Sequence, residues 1–513
     1  MAFIPKVVAV NTTESPSATD KITAGVDLLA NAVKQTLGPF GRNFLLEKGL
    51  KVTNDGLNIA KEIQHKDEIS DLGVRVARQA LEKTNDVAGD GTTTAITLFQ
   101  AIYAAALRLL PGKNRIKGKM SAMQLKKQLS EECKEVIAKL EKLATPVESK
   151  EALIEVAKVS VEDQELAELI GTAQWEVGKD GVLVAENSND PKSSVEKILG
   201  IRFDNGFGTS MIINDVEKNR LDKTDVAVLM MNYTIESIAQ VKPTLDKLAA
   251  DGRMAIAIIA RAFSSTAIKE CMENCRNGLN IYPINAPYVN QPEIMRDLAA
   301  VLGGRYFDTE QSELSDMTVQ DVGYAERVLC ERFSAIFIGK KNEQSETRIA
   351  ERVKILEKAI EGEPSIFHKK ALQARLAQLT KGFALVKVGS LTDDDRKRKY
   401  DKVEDAVNAV RAALQEGTVR GAGLAFKEIS EGMSEESILK RPLLAPYEQI
   451  MANAGAPFEV EEWVRNPLKV DRVALLNACE IAANLATAGG AIAQERQKPR
   501  YMQVKDEESV EVN

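Results

Sequence analysis

The residues best suited to chemistry lie in one short run rich in glycine and threonine, Gly89-Asp90-Gly91-Thr92-Thr93-Thr94. Glycine lets a backbone approach a ligand closely, and three hydroxyls beside the free amides of a helix start form a cradle for an anion. Asp90 is the kind of carboxylate that binds a phosphate-bound Mg²⁺. A Walker A loop is excluded, because no lysine follows the second glycine. A helix start capped by an Asp or Thr side chain, with no ligand, explains the same residues equally well.

Histidine and cysteine offer little further chemistry. His65 and His368 are the only histidines, which argues against histidine acid–base catalysis and against a histidine metal site. The five cysteines are Cys133, Cys271, Cys275, Cys330 and Cys479. Two of them have the i,i+4 spacing of a helix, but no histidine lies near them to complete a zinc site. We therefore expect free thiols in a reducing compartment.

Bulk composition excludes several classes of protein. The chain has 513 residues, 44% of them hydrophobic and 28% charged, as in a globular protein of about three domains. A net charge of −7 and an aromatic content of 5% argue against a nucleic-acid partner. Residues 1–20 have the character of neither a secretory signal nor a transit peptide, and no apolar run approaches the ~18 residues that span a bilayer. We expect no membrane partner and a cytoplasmic location.

The N-terminal part of the chain has the periodicity of helices. One apolar face is formed by Ile22, Val26, Leu29, Val33 and Leu37, and the helix is expected to end at the Gly-Pro pair that follows. Residues 44–46 are expected to form a short strand. Residues 68–110 should be helical with a break at 88–91, and residues 120–143 should form another amphipathic helix.

The middle of the chain has a different pattern. Short apolar runs at 226–231, 254–260 and 280–285 predict strands, and the segments 235–250 and 266–277 between them predict helices. Such alternation favours a small α/β layer domain with parallel strands. Further strands are expected at 335–338 and 383–388, a charged solvated run at 393–402, and helices again from residue 403. One helical domain would then be assembled from both ends of the chain.

Short motifs occur in a distinctive order along the whole sequence. They are Thr36-Leu37-Gly38-Pro39, Gly41-Arg42-Asn43, Thr53-Asn54-Asp55-Gly56, the run at 88–94, Val177-Gly178-Lys179-Asp180-Gly181-Val182, Asn285-Ala286-Pro287, Lys402-Val403-Glu404-Asp405-Ala406, Gln415-Glu416-Gly417 and Gly421-Ala422-Gly423. This ordered set resembles the group I (GroEL-like) chaperonin family, of which the chain is identified as a divergent member.

The resemblance implies a multidomain fold of α and α/β type. A mainly α-helical equatorial ATPase domain would comprise residues 1–145 and 417–513, built from both termini. A small hinge-like intermediate domain would comprise residues 146–199 and 382–416. The α/β apical, substrate-binding domain would be residues 200–381, where the strand–helix alternation lies.

The resemblance also implies a site for ATP and Mg²⁺, and it leaves a K⁺ ion as an open alternative. The residues implied to bind the nucleotide are Thr36, Leu37, Gly38, Pro39, Asn54, Asp90, Gly91, Thr92, Thr93, Thr94, Gly421, Ala422 and Glu461. Asp90 would bind Mg²⁺, and the three threonines would hold phosphates. Asp55 and Asp405 would position and activate the attacking water, roles that suit phosphoryl transfer. Taken singly, those two residues could equally be turn and surface carboxylates.

This sequence departs from the family pattern near the implied nucleotide. Asn54 stands where lysine is usual, and Ala422 stands where glycine is usual, so that its methyl group disfavours positive φ. The segment 455–469, which would cover the adenine, is much shorter than in the family. Glu461 then falls where a carboxylate would contact the ribose, although a surface glutamate near Trp463 is an equally good interpretation.

The implied partners are other copies of the chain and unfolded or partly folded client proteins. A homo-oligomeric ring is expected, with seven members, and the basic segment 111–119 would lie near a contact between rings. The exposed apolar strip implied to bind clients consists of Phe207, Met211, Ile212, Leu245, Ile268 and Met272. The alternative is that these are ordinary core residues. Gly208, Lys242 and Glu273 interrupt the strip, so a standard bacterial co-chaperonin is expected to bind weakly or not at all.

The implied function is that of an ATP-dependent chaperone that captures non-native proteins and folds them inside a ring cavity. The alternative is a passive client-binding scaffold with weak or lost ATP turnover. The presence of Asp55, Asp90 and Asp405 argues against that alternative, while the shortened 455–469 segment leaves room for it. A small-molecule kinase is a third class, but the sequence contains no recognisable acceptor site for it.

Overall fold

The computed structural model describes residues 7–11, 17–47, 51–110, 120–161, 163–179, 181–188, 190–216, 219–289, 291–309, 313–340, 343–363, 365–380, 383–456 and 458–494. The chain divides into two compact units. The first unit is Met1–Gly171 with Asp401–Asn513, and the second unit is Thr172–Tyr400. The predicted boundaries between three domains stay a prediction.

Helices dominate the first unit and alternate with strands in the second. In chain order they are α1 (Ala18–Val33), α2 (Gly56–Glu62), α3 (Glu68–Ala88), α4 (Thr92–Leu109), α5 (Ala122–Leu143), α6 (Lys150–Val161), α7 (Gln164–Val177), α8 (Lys242–Ala250), α9 (Ser265–Arg276), α10 (Gln291–Leu302), α11 (Glu343–Gly362), α12 (Ile366–Thr380), α13 (Asp393–Glu416), α14 (Leu424–Glu431), α15 (Ala445–Ala454) and α16 (Leu468–Ala486). Short 3₁₀ turns occur at 34–36, 210–212, 238–240, 314–316, 319–321 and 442–444.

The strands are mostly short, and the longest ones lie in the second unit. In chain order they are β1 (Val7–Asn11), β2 (Phe44–Leu46), β3 (Lys51–Thr53), β4 (Val182–Asn187), β5 (Ser194–Phe203), β6 (Leu221–Met231), β7 (Thr234–Ile235), β8 (Ala255–Ala260), β9 (Ala262–Phe263), β10 (Asn280–Asn285), β11 (Tyr306–Phe307), β12 (Gly323–Cys330), β13 (Ala335–Gly339), β14 (Phe383–Val388), β15 (Thr418–Arg420), β16 (Arg465–Pro467) and β17 (Gly490–Gln494).

The core of the first unit is made by helices α1, α3, α4, α5 and α16. Helix α1 starts at a capping box, in which the Ser17 hydroxyl accepts from the Asp20 amide and the Asp20 carboxylate accepts from the Ser17 amide. Its apolar stripe, together with Leu81, Phe99 and Leu475, belongs to one buried cluster. Small antiparallel pairs, β1 with β17, β2 with β3 and β15 with β16, accompany these helices.

The second unit is organised around one sheet, to which nine of the described strands belong, in the order β10-β8-β6-β12-β13-β5-β14-β4 with β11 beside β6. Strands β10, β8 and β6 are parallel to one another. Strands β12, β13, β5 and β14 follow, each antiparallel to the strand before it, and β4 at the end of the sheet is parallel to β14. From Val226 onward, strand β6 is buried on both faces. Val228 and Met230 pack into the cluster that holds α10 and α11, and Leu229 and Met231 pack into the one that holds α8 and α9. This double burial explains the unbroken apolar run at 226–231.

The structure confirms most of the predicted elements and corrects two. The segment 235–250 is helical only from Lys242, because Pro243 occupies the first turn and starts the helix there. The helix expected from residue 403 begins ten residues earlier, at Asp393, so the charged run at 393–402 is the first part of α13. No helix in the described part of the chain is long and apolar enough to cross a membrane. The basic segment 111–119 lies outside the described residues.

Candidate functional site

The junction between α3 and α4 has the geometry of an anion cradle. Gly89 ends α3 with φ of 70° and donates its amide to the Asn85 carbonyl at 2.8 Å. Gly91, with φ of 80°, is the N-cap of α4 and provides no side chain to bond the amides of the first turn. The alternative prediction of a start capped by an Asp or Thr side chain is therefore wrong. Instead, an 18-residue helix directs its positive end toward this loop, beside the hydroxyls of Thr92–Thr94.

Asp55 combines a structural and an electrostatic role near this junction. It is the N-cap of α2, and its two carboxylate oxygens accept from the Leu57 and Asn58 amides, each at 3.1 Å. The start of α2 touches the start of α4, because a β-carbon on Gly56 would lie 2.8 Å from the Thr93 hydroxyl. Burial raises the pKa of Asp55, and the two amide hydrogen bonds oppose that rise.

Helix α13 brings Asp405 to the same junction. The Asn408 amide nitrogen donates to the Gly89 carbonyl oxygen at 3.2 Å, and Asp405 lies one helical turn earlier, on the same side of α13. Burial and the charges of Asp90 and Asp55 raise the pKa of Asp405 well above its usual value. Burial and Asp55 likewise raise the pKa of Asp90 to about 6, although its Oδ1 accepts from the Gly91 amide at 2.6 Å. The structure thus brings together Asp55, Asp90 and Asp405.

These carboxylates fit Mg²⁺ only together with a phosphate ligand. Within the described ranges, no group of three or more His, Cys, Asp or Glu side chains is arranged to hold a metal ion alone. Mg²⁺ prefers one or two carboxylates and completes its octahedron with water and phosphate oxygens. Asp90 beside an uncapped helix start satisfies that requirement.

A fourth carboxylate, Asp471, was missed by the sequence reasoning. It lies in the first turn of α16, is 1% exposed, and accepts from the Asn466 amide nitrogen at 3.2 Å. Burial, with a contribution from the Asp90 charge, raises the pKa of Asp471 to about 7. The start of α16 reaches the cradle itself, because a β-carbon on Gly91 would lie 2.5 Å from the Val470 side chain. The signal for Asp471 in the sequence was its position on the apolar face of a segment with helical periodicity.

Helix α15 supports the loop that follows α1. The Asn453 amide nitrogen donates to the carbonyls of Lys34 at 3.0 Å and Leu37 at 2.8 Å. Thr36 is buried and donates its hydroxyl to the Val33 carbonyl at 2.8 Å, while Pro39 is exposed. Gly38 has φ of 83°, which L side chains seldom adopt. Of the predicted loop residues, Gly38 and Pro39 are exposed and Leu37 is half-buried.

The loop 421–423 contains Ala422, which stands where glycine is usual in the family. Ala422 has φ of 54°, so a β-carbon is placed in the left-handed region. Gly423, with φ of 76°, is the N-cap of α14 and, like Gly91, makes no side-chain cap bond. Gly421 donates its amide to the Val464 carbonyl at 2.9 Å. Two uncapped helix starts therefore occur among the loops predicted to hold a nucleotide.

For Asn54 and Glu461, the structure gives weaker support for a role in nucleotide binding. Asn54 is half-buried beside the α2 cap. Glu461 is exposed and accepts from the Trp463 indole nitrogen at 2.5 Å, as in the interpretation of a surface glutamate near Trp463. Lys158 of α6 lies over the same indole, with its Nζ 4.6 Å from the ring centroid.

The six residues of the predicted client strip differ in burial. Met211 is 75% exposed, and Phe207, Ile268 and Met272 are half-buried. Leu245 and Ile212 are buried in the two clusters that flank the sheet, so they agree with the alternative of ordinary core residues. The exposed part of the strip is therefore smaller than predicted.

Comparison with known proteins finds a family model and crystal structures that are similar to this chain. The model of the TCP-1/cpn60 chaperonin family matches residues 29–440. The chain is also similar to crystal structures of the chaperonin gp146 from bacteriophage EL 2 (Pseudomonas aeruginosa) in the presence of ATP-BeFx. Crystal form II has 19% identity and a TM-score of 0.66 over 96% of this chain and 100% of that chain. Crystal form I has 19% identity and a TM-score of 0.59 over 95% and 99%. The likeness shows a shared multidomain α and α/β fold.

Proposed function

This chain belongs to the TCP-1/cpn60 chaperonin family, and from that premise we propose that it is a group I chaperonin that hydrolyses Mg·ATP to drive protein folding. The observation that carries the proposal is the α3–α4 junction. There an uncapped helix start and three hydroxyls adjoin three carboxylates. Burial raises the pKa of both Asp90 and Asp405, with contributions from the Asp55 charge to both and from the Asp90 charge to Asp405. Such a site binds phosphates together with a cation. The ring assembly, the domain movements and the client proteins belong to this proposal.

Each carboxylate has a different part in the proposed hydrolysis. Asp90 would hold Mg²⁺, which when bound neutralises phosphate charge. Both oxygens of Asp55 are bonded to α2 amides, so Asp55 supplies a fixed charge at a fixed place. Asp405 makes no side-chain hydrogen bond or ion pair with another described residue, so its oxygens can accept from a water. Burial and the charges of Asp90 and Asp55 raise its pKa well above the usual value, and a carboxylate with a raised pKa is a stronger base.

Steady-state ATPase activity of the wild type and of Asp405→Asn tests the proposal. We expect Asp405→Asn to bind Mg·ATP with nearly unchanged affinity and to lose roughly 10²-fold or more in turnover, because a water-positioning group is removed. Asp90→Asn is the matched variant and should weaken Mg·ATP binding itself. Small and equal effects of both changes would contradict the assignment. A wild type that captures clients without hydrolysing ATP would instead be the passive scaffold.

A further inference from the structure

One face of helix α13 packs against the end of α3, beside the candidate phosphate cradle. Asp405, Asn408 and Ala412 follow one another at steps of three and four residues, so they share one face of this helix. Ala412 belongs to a small buried apolar cluster with Ala88, the last residue of α3, and with two valines of α16. The face of α13 that carries Asp405 is therefore the face that packs on this junction.

Asn408 is in direct contact with the loop that joins α3 to α4. Its amide nitrogen donates to the Gly89 carbonyl oxygen at 3.2 Å. A β-carbon on Gly89 would lie 2.5 Å from the same nitrogen and 2.9 Å from the Asn408 β-carbon, so this close approach requires glycine at residue 89. The accepting carbonyl belongs to the rigid peptide unit that also contains the Asp90 amide nitrogen. Asn408 thus connects the helix that carries Asp405 to the backbone that carries Asp90.

We propose that Asn408 is a positioning residue for ATP hydrolysis, because its bond to the Gly89 carbonyl fixes where Asp405 lies relative to Asp90. This inference rests on the proposed function, in which Asp405 positions the attacking water and Asp90 holds Mg²⁺. The negative charge of Asp90 repels that of Asp405, and this repulsion contributes to the raised pKa of Asp405. The Asn408 hydrogen bond opposes the repulsion and keeps α13 on the loop.

Turnover and affinity, measured separately, distinguish a positioning role from a binding role. We expect Asn408→Ala to lower kcat about 10-fold or more, because a small displacement of a reacting group is costly, and to leave the Kd of Mg·ATP nearly unchanged. Asn408→Leu restores the bulk but not the donor and should behave in the same way. Asn408→His should recover most of the turnover, because its Nδ1–H lies as many bonds from the backbone as the amide nitrogen does. Wild-type turnover in Asn408→Leu would overturn the proposal.

A double-mutant cycle with Asp405→Asn separates the positioning of Asp405 from a general loss of stability. Adding Asn408→Ala to Asp405→Asn should lower turnover by only about 2-fold or less, because no carboxylate remains to be misplaced. Asn477→Ala is the matched control. Asn477 is a buried asparagine of α16 whose amide donates to the Thr84 hydroxyl at 3.1 Å, and its loss should change turnover equally in both backgrounds.

The outcomes also distinguish a failure of this inference from a failure of the proposed function. Losses from Asn408→Ala and Asp405→Asn that multiply in the double variant would overturn the positioning role alone. Full loss of turnover in Asp405→Asn with none in Asn408→Ala would do the same. A wild type that hydrolyses no ATP would overturn the proposed function and the positioning role together.

Discussion

Four aspartates define the candidate site at the scale of single residues, and each is held differently. Asp55 caps a helix, Asp90 bonds the amide of Gly91, Asp405 has no hydrogen-bonding partner within the described ranges, and Asp471 accepts from an asparagine. The pKa of all four is raised, and burial is the largest cause in each case. Their charge is poorly compensated by the protein alone, which favours a bound cation.

Asp471 should make stability depend on pH. Its pKa is about 7 in the folded chain and near 3.8 when unfolded, so the folded state binds more protons between those values. Stability is therefore lost as pH rises from about 4 to about 7. Asp471→Asn should raise the thermal midpoint at pH 8 and change it little at pH 4.5, with a gain of about 4 kcal/mol at most. An equal shift at both pH values would contradict the raised pKa.

Ala422 should carry backbone strain that glycine would relieve. A β-carbon at positive φ costs about 1–2 kcal/mol, and the greater freedom of glycine in the unfolded chain returns part of that gain. We expect Ala422→Gly to stabilise the protein by about 1 kcal/mol or less, measured as a higher thermal midpoint. The matched control is Ala425→Gly, inside α14 and buried, which should lower the midpoint. The same sign for both variants would refute the strain.

At the scale of elements, the second unit anchors the first part of α13 by a buried polar cluster. The Tyr400 hydroxyl donates to the Ala185 carbonyl at 3.1 Å and accepts from Arg220 Nη2 at 3.1 Å. Arg327 also donates to that carbonyl, at 3.3 Å, and makes two hydrogen bonds to Asp222. Asp405 lies five residues further on in the same helix.

Removing the Tyr400 hydroxyl should measure how much this polar cluster contributes to the stability of the folded chain. Tyr400→Phe removes the hydroxyl that donates to the Ala185 carbonyl and accepts from Arg220 Nη2, and the loss of these two buried hydrogen bonds should cost about 1–3 kcal/mol. We expect a lower thermal midpoint and faster amide exchange in β4. Tyr324→Phe, on the exposed face of β12, is the control and should be nearly neutral. A neutral Tyr400→Phe would show that the cluster is not stabilising.

At the scale of the whole molecule, the proposed capture of clients depends on apolar surface that the chain leaves exposed. Met211 meets this requirement best, because its side chain is largely exposed, flexible and polarizable. Phe207 is a less decisive probe, because it is half-buried and packs on the core beside the sheet. A charge at that position would alter folding as well as binding.

Met211→Glu should therefore reduce capture of an unfolded model protein by several-fold while sparing ATPase activity, because the added charge disfavours contact with apolar chains. Capture is measured as suppression of aggregation at fixed chaperonin concentration. The control is Met123→Glu, in α5 of the first unit, where the side chain is 82% exposed. Equal losses in both variants would point to a nonspecific effect of charge and count against the strip.

The sequence by itself determined the features that local chemistry decides. Short apolar runs located β8, β10 and β14, and the positions of Gly and apolar residues located the helices around the Gly89–Gly91 break, because each of these depends on neighbours in sequence. The order of the motifs was sufficient to identify the family. It also selected Asp55, Asp90 and Asp405 as candidate site residues. At Ala422 the sequence predicted only that the methyl group would disfavour positive φ, and the structure places the residue there nevertheless, with φ of 54°.

Only the tertiary structure decided which of these residues meet and which faces are covered. Asp471 reaches the Asp90 cluster through the packing of α16 against the α3–α4 junction, a contact between segments nearly 400 residues apart that no local pattern records. Leu245 and Ile212 have the spacing of a surface strip, yet the sheet buries them. Helical periodicity shows that a face is apolar, but whether water or another element covers it is decided by long-range packing.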